Sequence, residues 1–224
     1  DWPTYTIANP LPTDIYRSWP KGIARKLFKL PQEKFLIMYS SLNTNDKRKG
    51  YELLLSALKI LSDIFELDFE VIVLGKYEKN SINTFFYKQH FVDVLNDDQS
   101  IAMLYSAADL MIVPSKMENL PQAATEAQSC GLPVIGFNCT GMNDVVTNKK
   151  TGLLVGSDNV NDLTSALMRL INEKIDFRQS IGINAQKHAK NNFSIKLYAE
   201  KHARIYQKLM NMFSLYILNE FSFF

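Results

Sequence analysis

The stretch Asp109 to Ile135, DLMIVPSKMENLPQAATEAQSCGLPVI, decides how the chain is read. Leu110 to Pro114 is short, continuous and apolar, the pattern of a strand buried on both faces of a sheet. Pro121 to Ser129 reads as a helix, and Pro133 to Phe137 as the next strand. A strand, a helix and a second strand so close together imply a right-handed parallel crossover.

The same alternation extends outward in both directions. Upstream, Phe35 to Ser41 (FLIMYSS) and Phe69 to Leu74 (FEVIVL) are further apolar strands, and Tyr51 to Phe65 repeats its apolar residues at three and four positions, the helical period. Between Lys76 and Asp98 the residues Phe85, Phe86, Phe91, Val92 and Val94 predict one short strand, and Gln99 to Ala107 a helix. Downstream, Leu153 to Val155 is a strand. Asn161 to Asn172, Phe177 to Lys190 and Ser194 to Met212 are three closing helices, with Asn161 or Asp162 and Ser194 as N-caps. The expectation is an α/β fold: a Rossmann-like, doubly wound parallel sheet with helices on both faces. In such sheets ligands bind beyond the carboxyl ends of the strands.

Composition supports a globular domain and excludes several classes. The chain has 224 residues, 46% hydrophobic and 21% charged, enough to bury a core without disulfide or metal staples. A formal charge of +2 lacks the basic excess of a nucleic-acid binder. Only Cys130, Cys139, His90, His188 and His202 are present as cysteine or histidine, which rules out a zinc cluster or disulfide framework as the organising principle. His188 and His202 read as surface residues and the two cysteines as buried, reduced thiols. The nine glycines permit neither G-x-G-x-x-G nor G-x-x-x-x-G-K-[ST], so dehydrogenase and P-loop readings lose their signatures.

What remains at the strand ends is a pair of carboxylates around a helix start. Glu118 precedes the helix and Glu126 lies nearly two turns into it. A helix N-terminus binds phosphate through free amides and its dipole, and a carboxylate accepts hydrogen bonds from paired hydroxyls of a sugar or ribose. The spacing thus reads sugar, diphosphate, ribose. An acidic residue near a helix start also occurs simply because it favours the dipole. Likewise Lys47-Arg48-Lys49 would read, by itself, as a solvated charge run.

The residues around this pair carry a family pattern. Tyr105-Ser106-Ala107-Ala108-Asp109 leads into Pro114-Ser115, then Glu118, seven residues, Glu126, and Gly131-Leu132-Pro133-Val134; Gly141 with Asp144-Val145-Val146 and Thr151-Gly152-Leu153-Leu154-Val155 follow. This order resembles the donor-binding signature of the group 1 glycosyltransferases (glycosyltransferase family four, GT-B fold). Asn9-Pro10 is similar to the start of that family's second domain. The resemblance covers about residues 7 to 210.

The resemblance implies roles. Glu126 would hold the ribose hydroxyls, Glu118 would face the transferred sugar, and the backbone of Asn119, Leu120 and Pro121 would meet the diphosphate, with Ser41 and Gly75 completing the donor site. Lys49-Gly50 fits the family's Lys-Gly, a fixed ammonium for the charge that develops on the leaving diphosphate. The family's Gly-Arg is replaced by Ser40-Ser41, and Arg48 would supply the second cation. Apart from the resemblance, the many Phe and Tyr read mostly as core, with one aromatic between Phe85 and Phe91 placed to stack on a base, and Lys76, just after the Gly75 turn, is a candidate neighbour of the base or phosphate.

The implied reaction is retaining transfer of a sugar from a nucleotide-diphosphate-sugar to a saccharide or lipid-linked acceptor, in bacterial surface polysaccharide or glycolipid synthesis. No metal and no further cofactor are expected, in keeping with the absence of an Asp-x-Asp motif. The resemblance further implies a missing N-terminal acceptor domain, and the start at Asp1 without Met reads as a piece of something longer. On this reading residues 1–193 form the nucleotide-sugar domain, 194–212 a crossover helix, and 213–224 an apolar tail too short to span a bilayer. The location implied is cytoplasmic, with peripheral contact on the inner face of the membrane. Two alternatives are a non-catalytic nucleotide-sugar-binding or partner subunit and a sugar-nucleotide epimerase of the same architecture.

Overall fold

A computed structural model describes residues 4–64, 68–77 and 87–221, with side chains described as far as residue 212. Six strands, β1 (Phe35–Asn43), β2 (Phe69–Lys76), β3 (Gln89–Val92), β4 (Leu110–Val113), β5 (Val134–Phe137) and β6 (Gly152–Val155), form one sheet in the order β3-β2-β1-β4-β5-β6. Every pairing is parallel. The chain begins the sheet at its centre, winds outward through β2 and β3, then returns to lay β4 against the other side of β1. That reversal leaves a crevice at the carboxyl ends of β1 and β4.

The central strands are largely apolar because both faces are covered. Alternate residues point opposite ways, so Leu36, Met38, Ile72, Leu74, Met111 and Val113 enter one core with Tyr105, Ala107, Ala124 and Ala127 of α3 (Asp98–Ala107) and α4 (Gln122–Ser129). Ile37, Tyr39, Val71, Val73, Ile112 and Ile135 enter the other, against Leu54, Leu58 and Leu61 of α2 (Tyr51–Ile64) and Leu163, Leu167 and Leu170 of α6 (Val160–Asn172).

Several elements differ from the sequence reading. Residues Lys21–Leu27, read only as a basic stretch, form helix α1. Its Arg25 is 4% exposed and donates to the Ala107 carbonyl, while its guanidinium pairs with Asp109 at 2.7 Å. Asp109 also accepts from the Leu36 amide and from Lys21, so it ties the entrance of β4 to β1 and α1. The N-cap of α6 is Asn159, which accepts from the Asp162 amide; neither Asn161 nor Asp162 caps. Met142–Val145 form a short helix, α5. Helix α7 (Ile175–Phe193) is longer than predicted, and α8 runs from Ile195 to Phe221, straight through position 212. Ser194 caps α8 as expected, accepting from the Leu197 amide at 3.4 Å. The strand predicted between Lys76 and Asp98 is β3; Phe85 and Phe86 lie outside the described residues.

Candidate functional site

The crevice is a cleft of about 440 Å³, within the range of small-ligand sites. Its floor comes from Ser40 and Ser41 at the end of β1, Gly75 at the end of β2, and Val113 of β4. One wall is the segment Val94–Leu95 with Ile101 and Tyr105 of α3, and the other is Pro121, Gln122, Ala123 and Glu126 at the start of α4. Pro121 is the α4 N-cap and offers no side-chain hydrogen bond. Of the first-turn amides of α4, that of Ala124 donates to the Pro121 carbonyl, while Gln122 and Ala123, whose amides have no partner within a helix, line the cleft.

At the mouth Lys49 meets Glu118, Nζ to Oε1 at 2.6 Å, with the lysine about one-third and the glutamate 12% exposed. Both are held by their loops. Lys49 ends a 3-10 turn (Lys47–Lys49) whose Arg48 carbonyl accepts from the Lys116 amide at 2.9 Å. Gly50 closes that turn at φ 68°, and a Cβ there would lie 1.9 Å from the Pro114 carbonyl oxygen. Only glycine allows both the left-handed backbone and this approach. Across the mouth the Glu118 amide donates to Thr140 Oγ1 at 3.0 Å, and the Gly141 amide donates to the Glu118 carbonyl at 2.9 Å. A Cβ at Gly141 would fall 1.5 Å from the Asn119 carbonyl oxygen, so the loop after β4 rests directly on this glycine.

The far end of the cleft holds Glu126, 7% exposed. Tyr105 donates its hydroxyl to Oε2 at 3.0 Å. Burial pushes the Glu126 carboxyl up to about 7, against the hydrogen bond from Tyr105 that favours the charged form. A diphosphate bridging the two ends would have the α4 N-terminus and Lys49 beside it, with one carboxylate on either side.

The sequence from residue 22 to 188 matches the family model described as glycosyl transferases group 1. The chain belongs to the group 1 glycosyltransferases. Its relatives include the capsular polysaccharide biosynthesis glycosyltransferase CapM of Staphylococcus aureus, 26% identical over 193 residues, which cover 84% of this chain and 50% of that protein. Among solved structures, sucrose-phosphate synthase from Thermosynechococcus elongatus superposes with a TM-score of 0.78 at 23% identity, over 92% of this chain and 52% of that one. An Anabaena protein, Alr3699/HepE, in complex with UDP-glucose superposes with a TM-score of 0.73 at 20% identity, over 90% of this chain and 57% of that one. At such identities the structural likeness establishes the fold alone. The chain spans about half the length of these proteins.

Set on this glycosyltransferase fold, most residues singled out in the sequence converge. Arg48, Lys49, Glu118, Pro121, Glu126, Ser41 and Gly75 line the cleft. Asn119 lines an adjoining one of about 540 Å³ that shares Arg48, Lys49 and Glu118 and adds Thr140 and Asp144. The Leu120 side chain packs against the core instead, leaving its backbone at the loop. Arg48 reaches the cleft, but its guanidinium is bidentate on Asp46, at 3.1 and 2.8 Å, and three-quarters exposed. Lys76 is exposed and outside the cleft lining, and its carbonyl accepts from the Thr44 amide. Phe91 stacks on Tyr77, ring centroids 4.1 Å apart, on the edge strand. His188 and His202 are half-buried and not simply on the surface; each ring sits against aromatic neighbours. Cys130 and Cys139 are free thiols, Cys130 buried and Cys139 partly so.

Sequence reasoning missed Thr140 and Asp46, polar loop residues whose partners are Glu118 and Arg48.

Proposed function

We propose that the chain is the donor-binding domain of a retaining glycosyltransferase, taking a nucleotide-diphosphate-sugar and passing its sugar to an acceptor hydroxyl. The observation that carries this reading is the arrangement of Glu126, the α4 N-terminus and the Lys49–Glu118 pair along one cleft. Glu126 takes the paired ribose hydroxyls. The α4 amides and Lys49 take the diphosphate, and Glu118 faces hydroxyls of the sugar. As the bond between the anomeric carbon and the diphosphate oxygen breaks, its electron pair goes to the diphosphate, where Lys49 and the helix dipole stabilise the charge. The acceptor oxygen forms the new bond to the same carbon, and its proton passes to the departing diphosphate oxygen. Relatives such as the capsular polysaccharide enzyme favour a surface polysaccharide or glycolipid as product.

In this reading the acceptor pocket lies in a further domain, since the relatives are about twice as long as this chain. No helix among the described residues is long and apolar enough to cross a membrane. The test is to titrate the chain with a panel of nucleotide-diphosphate sugars and assay transfer in parallel. The expected result is saturable binding with turnover far below the ordinary range of about 1–10³ per second. Transfer at ordinary rates by this chain alone would overturn the division of labour, and binding of no donor would overturn the donor reading.

A further inference from the structure

Three successive residues of the loop after β5 grip the loop after β4. Cys139 Sγ donates to the Ser115 carbonyl at 3.3 Å, Thr140 Oγ1 accepts from the Glu118 amide at 3.0 Å, and the Gly141 amide donates to the Glu118 carbonyl at 2.9 Å. The peptide groups on both sides of the Glu118 Cα are therefore held, one by a side-chain hydroxyl and the other by backbone. Where it offers that hydroxyl, Thr140 has φ 36°, in the left-handed region. Of the four non-glycine residues with positive φ among the described residues, Lys29, Thr140, Lys149 and Asp158, it is the β-branched one, for which this backbone is least favourable. Such a conformation persists only where its surroundings over-determine it, and such residues cluster at functional sites.

What the grip places is a carboxylate with one oxygen open. Glu118 Oε1 is on Lys49 at 2.6 Å, and Oε2 has no hydrogen bond among the described residues. Glu118 lines the cleft of about 540 Å³ together with Thr140, Gly141 and Lys49, where a sugar joined to a diphosphate at Lys49 would lie. A movement of the Glu118 backbone is passed on to that carboxylate, and hydrogen bonds weaken steeply as distance and angle depart from the optimum. We propose that Thr140 is a positioning residue for Glu118, its hydroxyl fixing the Glu118 backbone so that the carboxylate meets hydroxyls of the transferred sugar. The proposal rests on the donor-site reading above. The contact between Thr140 and the Glu118 amide is exposed, so water can replace a lost acceptor there at little cost to folding. Water does not fix the loop, and the loss falls on recognition of the sugar.

The test uses the 224-residue chain and calorimetric titration with three pairs: UDP and UDP-glucose, GDP and GDP-mannose, ADP and ADP-glucose. For the pair that binds most tightly, the readout is the affinity for the nucleotide-sugar divided by that for the nucleoside diphosphate. Thr140→Ala lowers this ratio about fivefold through the nucleotide-sugar alone, and Thr140→Ser, which keeps the hydroxyl, restores it. Thr140→Gly removes the hydroxyl and accepts the left-handed backbone freely. Its melting temperature stays close to the parent's while the ratio falls as in Thr140→Ala, a combination that a merely structural role would not give, and it decides the matter if Thr140→Ala does not fold. An unaltered ratio in folded Thr140→Ala or Thr140→Gly, an equal loss on both ligands, or failure of Thr140→Ser to restore the ratio overturns the role of Thr140 and leaves the donor site standing. An unaltered ratio in Glu118→Ala, or binding of none of the six compounds, overturns the reading of Glu118 as the sugar's carboxylate and this proposal with it.

Discussion

Lys49 and Glu118 meet at 2.6 Å although 69 residues separate them, one on the turn after β1 and the other on the loop after β4. The pair therefore spans the point where the sheet changes direction. An ion pair this close to solvent contributes little to stability, about 0–1 kcal/mol. Its consequence is placement, since the lysine is held over the cleft with its charge ready for an incoming phosphate. Lys49→Ala should weaken a nucleoside diphosphate about tenfold, weaken the monophosphate less, and leave the melting temperature within a few degrees of the parent. Calorimetry on both nucleotides, with thermal unfolding alongside, checks this.

Gly141 supports the same mouth from below. Any side chain there meets the Asn119 carbonyl oxygen, at 1.5 Å for the first carbon, and backbone cannot yield as a flexible side chain can. Gly141→Ala should lower stability by about 2–4 kcal/mol and reduce nucleotide affinity together with it. Urea denaturation measures the first, and an affinity that survives while stability falls would show that the loop is not part of the site.

Glu126 makes the site sensitive to pH. With burial raising its carboxyl to about 7, the charged form that accepts ribose hydroxyls is depleted below that value, so nucleotide affinity should fall as pH drops from 8 to 6. The folding consequence has the opposite sense. The folded chain retains this proton through a range in which the unfolded chain has released it, so stability is full below about 4.5, declines as pH rises toward about 7, and levels above. The Glu126→Gln chain should lack this decline and exceed the parent at pH 8 by on the order of 1–3 kcal/mol, a difference that urea titrations at pH 4 and pH 8 would reveal.

Asp109 is the structural counterpart. Removing its carboxylate leaves Arg25, 4% exposed, without its ion-pair partner and the Leu36 amide without an acceptor. Asp109→Ala should cost about 3 kcal/mol with no selective effect on nucleotide binding once the variant is folded. A change below about 1 kcal/mol in denaturant titration would refute the assignment.

The legible parts of the molecule are those that a local pattern dictates. The runs FLIMYSS, FEVIVL and LMIVP read as strands because burial on both faces demands unbroken apolarity, and the parallel sheet follows from their alternation with helices. Helix α1 escaped because KGIARKL has almost no apolar stripe; its buried residues are Ala24 and an arginine satisfied by the Asp109 carboxylate and the carbonyls of Ala107 and Gln32. The cap of α6 was misplaced because cap-capable residues crowd the stretch from Ser157 to Asp162, and the helix starts after Asn159. At the site, Glu118, Glu126 and Lys49 were legible through motif spacing. The attachment of Arg48 to Asp46 was not, because it depends on the conformation of a single turn.

The central claim is that one cleft holds ribose at Glu126 and diphosphate at Lys49. Titration of UDP, GDP and ADP into the parent chain, Glu126→Ala and Lys49→Ala tests it most directly. The account predicts saturable binding of at least one nucleotide to the parent and a loss of about tenfold or more in each variant. Binding of none, or binding that neither substitution weakens, would contradict it.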